Sequence, residues 1–248
     1  MRGALIFFLG LLTTSLSAQI VNVEGKRKLI NQEGWHGGID LNFDLTQNTN
    51  TILAIGARSN VQFLKGHHRV LVLADVDRVS ANDSNLINKG YNHLRYNYEL
   101  GNKRRVALEA FNQIQFNSVQ LIRYRHLVGA GLRLSLHQTD SLKFWVGTLP
   151  MFEYEELTTG IVERNMRQSS YLLFFIARKQ FEFQSINYYQ PKLWDFKDFR
   201  LTTGTTLELG ILTWLRFVTS LDLTYDSRPP VDVPNVVFSL KNGIKLEF

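Results

Sequence analysis

The chain has 248 residues, 44% of them hydrophobic, with a formal charge of +6 and no cysteine. That is the composition of a folded protein, and it excludes disulfide scaffolds, thiolate metal sites, cysteine nucleophiles and a lipid-modified N-terminal cysteine. The basic residues are scattered rather than massed, as on a solvated or paired set of side chains, so nucleic acid is not the expected partner.

Residues 1–18 carry one basic residue, Arg2, then an apolar run from Ala4 to Leu12 and small polar residues ending at Ala18. This is the pattern of a cleaved secretory signal peptide; the apolar run is far short of the ~20 residues a membrane-crossing helix needs. No later stretch reaches spanning length or sustains a helical stripe. Residues 19–33 read as a short periplasmic segment.

From residue 34 the chain alternates. Trp35, Ile39, Leu41, Phe43 and Leu45 fall on one parity, with His36, Asp40, Asn42 and Asp44 on the other. The same two-residue period returns in Leu53 to Phe63, in Val70 to Val76 with Asp75 and Asp77 opposite, and in Leu94, Tyr96 and Tyr98 against His93, Arg95, Asn97 and Glu99. It continues in Leu108 and Ile114 against Glu109, Gln113 and Gln115, and in Val128, Ala130, Leu132 and Leu134 against Arg123, Arg125, Gly129, Gly131 and Arg133. Residues 169–178 are nearly all apolar, which leaves their faces unassigned. The last strand, from Val236, sets Phe238, Leu240, Ile244, Leu246 and Phe248 against Ser239, Lys241, Lys245 and Glu247. Loops are expected at residues 80–85, 158–165 and 191–198, and a proline-bearing one opening at residues 228–230, all on the side opposite the termini.

About twelve strands of ten to fifteen residues result, joined as up-and-down neighbours, and a tilted strand of ~9–11 residues crosses the hydrocarbon layer. One parity is almost free of charge, and Trp35, Tyr98, Tyr154, Tyr189, Trp194, Trp214 and Tyr225 recur near strand ends, as interfacial girdles require. In lipid only helices and closed barrels satisfy every backbone group. The expected fold is therefore all-β, a closed antiparallel up-and-down transmembrane β-barrel over residues 34–248, in the outer membrane, with lipid as its first partner. An exported soluble β-sandwich binding protein is the alternative, weakened because soluble strands usually run only ~5–6 residues.

Residues 93–98 (HLRYNY), then Glu109, Phe111, Gln113 and Gln115, then residues 125–133 (RHLVGAGLR) resemble the centre of a family of salt-induced outer-membrane proteins, Gram-negative β-barrels whose shared domain has no known function. The resemblance implies an outer-membrane barrel and brings no catalytic residue. The terminal Phe248 is similar to the signal read by the barrel-assembly machinery, an expected partner during biogenesis.

The strongest polar cluster is Arg95, Glu99, Glu109, Gln113, Arg123, Arg125 and Arg133, on three consecutive strands and one parity. Strands lie ~4.8 Å apart, so these side chains can meet inside a barrel. They read first as a paired network filling the lumen and second as the constriction of a narrow pore for a small hydrophilic solute. A lipid-processing enzyme of lipase or lipid A deacylase type is a further alternative, resting on His93; with no serine near it on its strand, no catalytic residue is assigned. Glu153 and Glu155 share a face but mark no sugar site. No metal site and no cofactor are expected, and the protein reads as non-enzymatic.

Overall fold

The computed structural model describes residues 32–82, 84–231 and 233–246, so the expected signal peptide and the assembly signal at Phe248 lie outside the described residues. Twelve strands follow one another: β1 (Gly34–Gln47), β2 (Thr51–Lys65), β3 (His68–Ala81), β4 (Ser84–Leu100), β5 (Val106–Asn117), β6 (Ile122–Gln138), β7 (Leu142–Leu157), β8 (Val162–Arg178), β9 (Phe181–Lys192), β10 (Asp195–Leu212), β11 (Leu215–Asp226) and β12 (Val236–Leu246). Each pairs antiparallel with the next, in the order of the chain. The strands run from 11 residues in β12 to 18 in β10. Connections between them are short, so no crossover intervenes and neighbours in sequence are neighbours in space. The only described helix is one 3-10 turn, Ser118–Gln120, capped by the Asn117 side chain, which accepts from the amides of Val119 and Gln120. No described helix is long and apolar enough to cross a membrane.

The strands reach further than their composition predicts at the end opposite Gly34 and Leu246. The expected loop at 158–165 is mostly the start of β8, and the one at 191–198 shrinks to a turn between β9 and β10. Only the connection from β11 to β12, with Pro229 and Pro230, stays long at that end. At the other end β2 turns into β3 through Gly66, whose φ of +57° suits a residue without Cβ.

The sheet is rolled. Tyr171 on β8 donates from its hydroxyl to Glu109 on β5 at 3.0 Å, and Arg200 on β10 reaches Glu153 on β7. Strands three apart in a flat sheet would be separated by ~14 Å, so these contacts bridge a concave interior. Among the described residues there is no ladder between β1 and β12, so the closure expected from the sequence is not part of the hydrogen-bonded sheet. β1 and β12 are its two edges.

The two faces are inverted relative to a water-soluble protein. Leu41 is 78% exposed and Ile244 71%, whereas Glu153 and Arg167 are each 1% exposed. Aromatic side chains on the convex face meet near the strand ends: Trp35 with Phe63 at 4.8 Å, Tyr124 with Tyr154 at 6.0 Å, and Phe199 with Tyr189 and Tyr225 at 5.8 and 5.6 Å. The faces left open by sequence in β8 are settled by register. Ser169, Tyr171, Leu173 and Phe175 point inward, and Leu172 points out.

A charge-balanced network inside the sheet

Positions of β6 to β11 converge on one buried polar system. Its centre is Glu153 on β7. That carboxylate accepts from Arg167 Nε at 2.7 Å and from Arg200, and lies 3.5 Å from Arg125 Nε. The guanidiniums are held on their other sides. Arg125 pairs with Glu155, Arg167 donates to Asp198 at 3.0 Å and to the Gln190 carbonyl at 3.1 Å, and Arg200 Nε donates to Asp226 at 2.7 Å. Lys192 closes the set on Asp198 at 2.7 Å. Four cations (Arg125, Arg167, Lys192, Arg200) thus face four carboxylates (Glu153, Glu155, Asp198, Asp226). A buried charge is costly unless paired and hydrogen-bonded, and this arrangement meets both conditions with no net charge left over.

A second group sits beside it. Glu109 accepts from Asn97 Nδ2 at 2.8 Å and from Tyr171, with Arg95 at 3.6 Å. His93 bonds Gln113 at 2.9 Å and stacks on Phe111, and Gln113 passes the chain to Gln115 at 2.6 Å. Glycines make this packing possible. A Cβ on Gly147 would stand 2.2 Å from the ring of Tyr171, and one on Gly131 would strike Leu149, so both rows need hydrogen there. The space left between the two groups is a cavity of about 40 Å³ with Met151 and Leu127 in its wall. It has room for only a few water molecules.

Toward the end where β1 begins, the filling becomes apolar: Trp145, Tyr171, Leu173, Phe175 and Ile186 form one buried cluster. Arg133 lies 4.8 Å over Trp145 and Lys143 5.3 Å over Phe175, so these buried cations rest on aromatic faces. Beyond them opens a basin of about 590 Å³ lined by Arg69, Lys103, Arg104, Arg105, Glu99 and Gln138 among others. Within it Glu99 binds Arg69 at 2.6 Å and Arg104 at 3.7 Å.

Of the residues singled out from sequence, Arg95, Glu109, Gln113, Arg125 and Arg133 are buried on the inner face, and Glu99 lines the basin. Arg123 departs from them. The β6–β7 ladder shifts between Ile122 and Tyr124, and the bulge turns Arg123 outward to Glu156 at 3.0 Å, with its side chain 69% exposed. Arg125 and Arg95 do not meet in one cluster either; Arg125 belongs to the Glu153 system. Glu153 and Glu155 share an inward face as expected, but the rest of their system was missed: Arg167, Asp198 and Arg200 fell in or beside presumed loops. The parity of Arg200 with Thr202, both buried, carried the signal for Arg200. Asp198 shares that parity but fell inside the presumed loop at 191–198.

Among the described residues no group of histidine, aspartate and glutamate has the geometry of a metal site.

A rolled antiparallel meander with a polar filling and an apolar exterior defines a β-sheet protein built inside out. The chain belongs to the family described as "Protein of unknown function, DUF481", whose model matches residues 39–237. No curated protein matches the sequence. Among solved structures, the NanC porin is similar, with a TM-score of 0.45 and 14% identity over 79% of this chain and 94% of the porin chain.

Proposed function

We propose that β1 and β12 close the sheet into a membrane-spanning barrel of the Gram-negative outer membrane, and that the barrel is filled rather than open: a non-enzymatic structural element of the envelope. The observation that carries this reading is the inversion of the two faces. Outward side chains are apolar or uncharged over the middle of the strands, and charged ones such as Arg78, Glu156 and Arg178 stand at the strand ends. Water rewards the opposite arrangement, and lipid this one. Several polar groups on the outer wall are bonded to one another. Gln168 donates to Thr148 at 2.7 Å, Thr148 meets Ser170 at 3.0 Å, and Asn187 meets Thr203 at 2.7 Å. That is what lets them face hydrocarbon.

The filling supports a closed lumen. The ion pairs neutralise one another, the cavity between the groups holds only a few waters, and the aromatic cluster lies on the far side. Lipid processing gains no support from the placement of His93. It is buried on the inner wall against Phe111, whereas an acyl chain would arrive at the outer wall.

A second reading, a narrow pore for small anions, is favoured by one feature, the basin in which Arg69, Lys103, Arg104 and Arg105 outnumber Glu99. Planar-bilayer recording of the refolded full chain separates the two. The filled barrel inserts without conductance steps. Discrete steps with anion preference would overturn the filled barrel in favour of the pore.

A further inference from the structure

The two edges of the sheet carry opposite charge on the face that points inward. Asp40 and Asp44 stand on that face of β1, four residues apart; Asp40 is opposite Arg58 on β2, which already serves Asp75 and Asp77 at 3.6 and 3.2 Å. With Lys89 on β4 as the other nearby cation, 3.7 Å from Asp77, this side of the interior has an excess of carboxylate. On β12 the inward row is Ser239, Lys241, Gly243 and Lys245, with the lysines also four residues apart; Lys245 already lies 3.5 Å from Glu208 on β10, so the seam would make it a shared partner. β1 and β12 run in opposite directions along the sheet, so closure would be antiparallel.

We infer that the barrel closes in one register, with Asp40 opposite Lys245 and Asp44 opposite Lys241. This rests on the membrane-barrel reading above and specifies its seam. Equal spacing on antiparallel strands lets both ion pairs form together, and a slip of two residues either way leaves neither aspartate opposite a lysine. Asn42 then faces Gly243. On the outer wall Leu41 meets Ile244 and Leu45 meets Leu240, which keeps the lipid side apolar.

The geometry of the existing ladders accommodates this register. Crossing the sheet from Gly34 perpendicular to the strands leads through Leu64, Asn97, Glu109 and Arg200 to Asp226, whose amide donates to the Asn235 carbonyl just before β12. From Asn235 to Lys245 is ten residues, and from Gly34 to Asp40 is six in the same sense, so the proposed seam gives the closed barrel a stagger of sixteen residues. For twelve strands, that stagger corresponds to a strand tilt of about 42°. Transmembrane barrels tilt their strands by ~35–45°. The ladder registers thus admit a stagger of fourteen or sixteen residues, and the charge pattern selects sixteen.

The native chain has no cysteine, so paired cysteines can be introduced without a background. Outward positions leave the four charged side chains intact. L41C is combined in turn with I244C, N242C or L246C, and the refolded proteins in lipid vesicles are mildly oxidised. The inferred register predicts several-fold more intramolecular disulfide in L41C/I244C than in either of the other pairs. A winning N242C or L246C pair would overturn the register while leaving closure standing. Absence of intramolecular disulfide in all three, or cross-linking only between molecules, would remove the closed barrel itself and this seam with it.

Discussion

Replacing Glu153 by glutamine is expected to cost the folded protein about 3–5 kcal/mol, the usual loss when one member of a buried ion-pair system is removed. The geometry makes Glu153 the worst position to neutralise. It is the common partner of Arg125, Arg167 and Arg200, all buried, and each would keep its charge in a closed interior with a carboxylate missing. E155Q should cost clearly less, because its two arginines, Arg125 and Arg200, retain Glu153. Urea unfolding in detergent micelles, followed by tryptophan emission and by the heat-dependent mobility of the folded band, measures both. A Glu153 variant with unchanged stability would mean that the network is solvated and the lumen open to water.

The second large effect is expected on the outer wall. Leu132 lies near the middle of β6, 46% exposed, paired with Leu108 on one side and Thr148 on the other. An exposed leucine in a soluble protein tolerates arginine with little change. In a wall that faces acyl chains, L132R should cost about 2–4 kcal/mol, the value for a cation near the bilayer midplane. The same unfolding measurement in phospholipid vesicles decides it. A neutral L132R would argue for water on that face.

These two substitutions also mark what was legible in the sequence. The outer wall was: rows such as Val128 to Leu134 and Leu41 to Leu45 need only a period of two, and hairpin turns between them are written in Gly, Asn and Asp. Twelve strands and their simple order follow from that period and from the shortness of the connections. The interior was legible only where alternation ran unbroken, as from His93 to Glu99. Bulges break the parity rule, because one extra residue exchanges the faces on either side of it. That is why Arg123 was assigned inward; Asp198, in step with Arg200 and Thr202, was not recognised because the strand was expected to begin only after it.

The other gap is chemical. Reading inward as polar and outward as apolar works for a water-filled lumen, but this interior is packed. Leu71, Leu73, Trp145, Leu173, Phe175 and Ile186 are buried on the same face as the arginines. Residues 169–178 looked featureless for that reason, with apolar side chains going to the outer wall on one side and to a packed filling on the other. Conversely, Ser170, Asn187 and Thr203 face outward, where mutual hydrogen bonds replace the hydrophobicity expected of them. Closure was expected from the membrane argument, but its register was beyond the pattern, since that depends on how residues two hundred positions apart meet; only the spacing of Asp40 and Asp44 against Lys241 and Lys245 speaks to it.

The central claim, that alternate side chains face lipid and a closed polar interior, is tested most directly by single cysteines on β6 at Leu127, Val128, Ala130, Leu132 and Arg133, spin-labelled in protein refolded into vesicles. A lipid-facing wall predicts that Val128, Ala130 and Leu132 are relaxed by membrane-dissolved oxygen and shielded from a water-soluble nickel reagent, while Leu127 and Arg133 are reached poorly by both. Nickel access at Val128, Ala130 and Leu132, with protein that stays in solution without detergent, would contradict it.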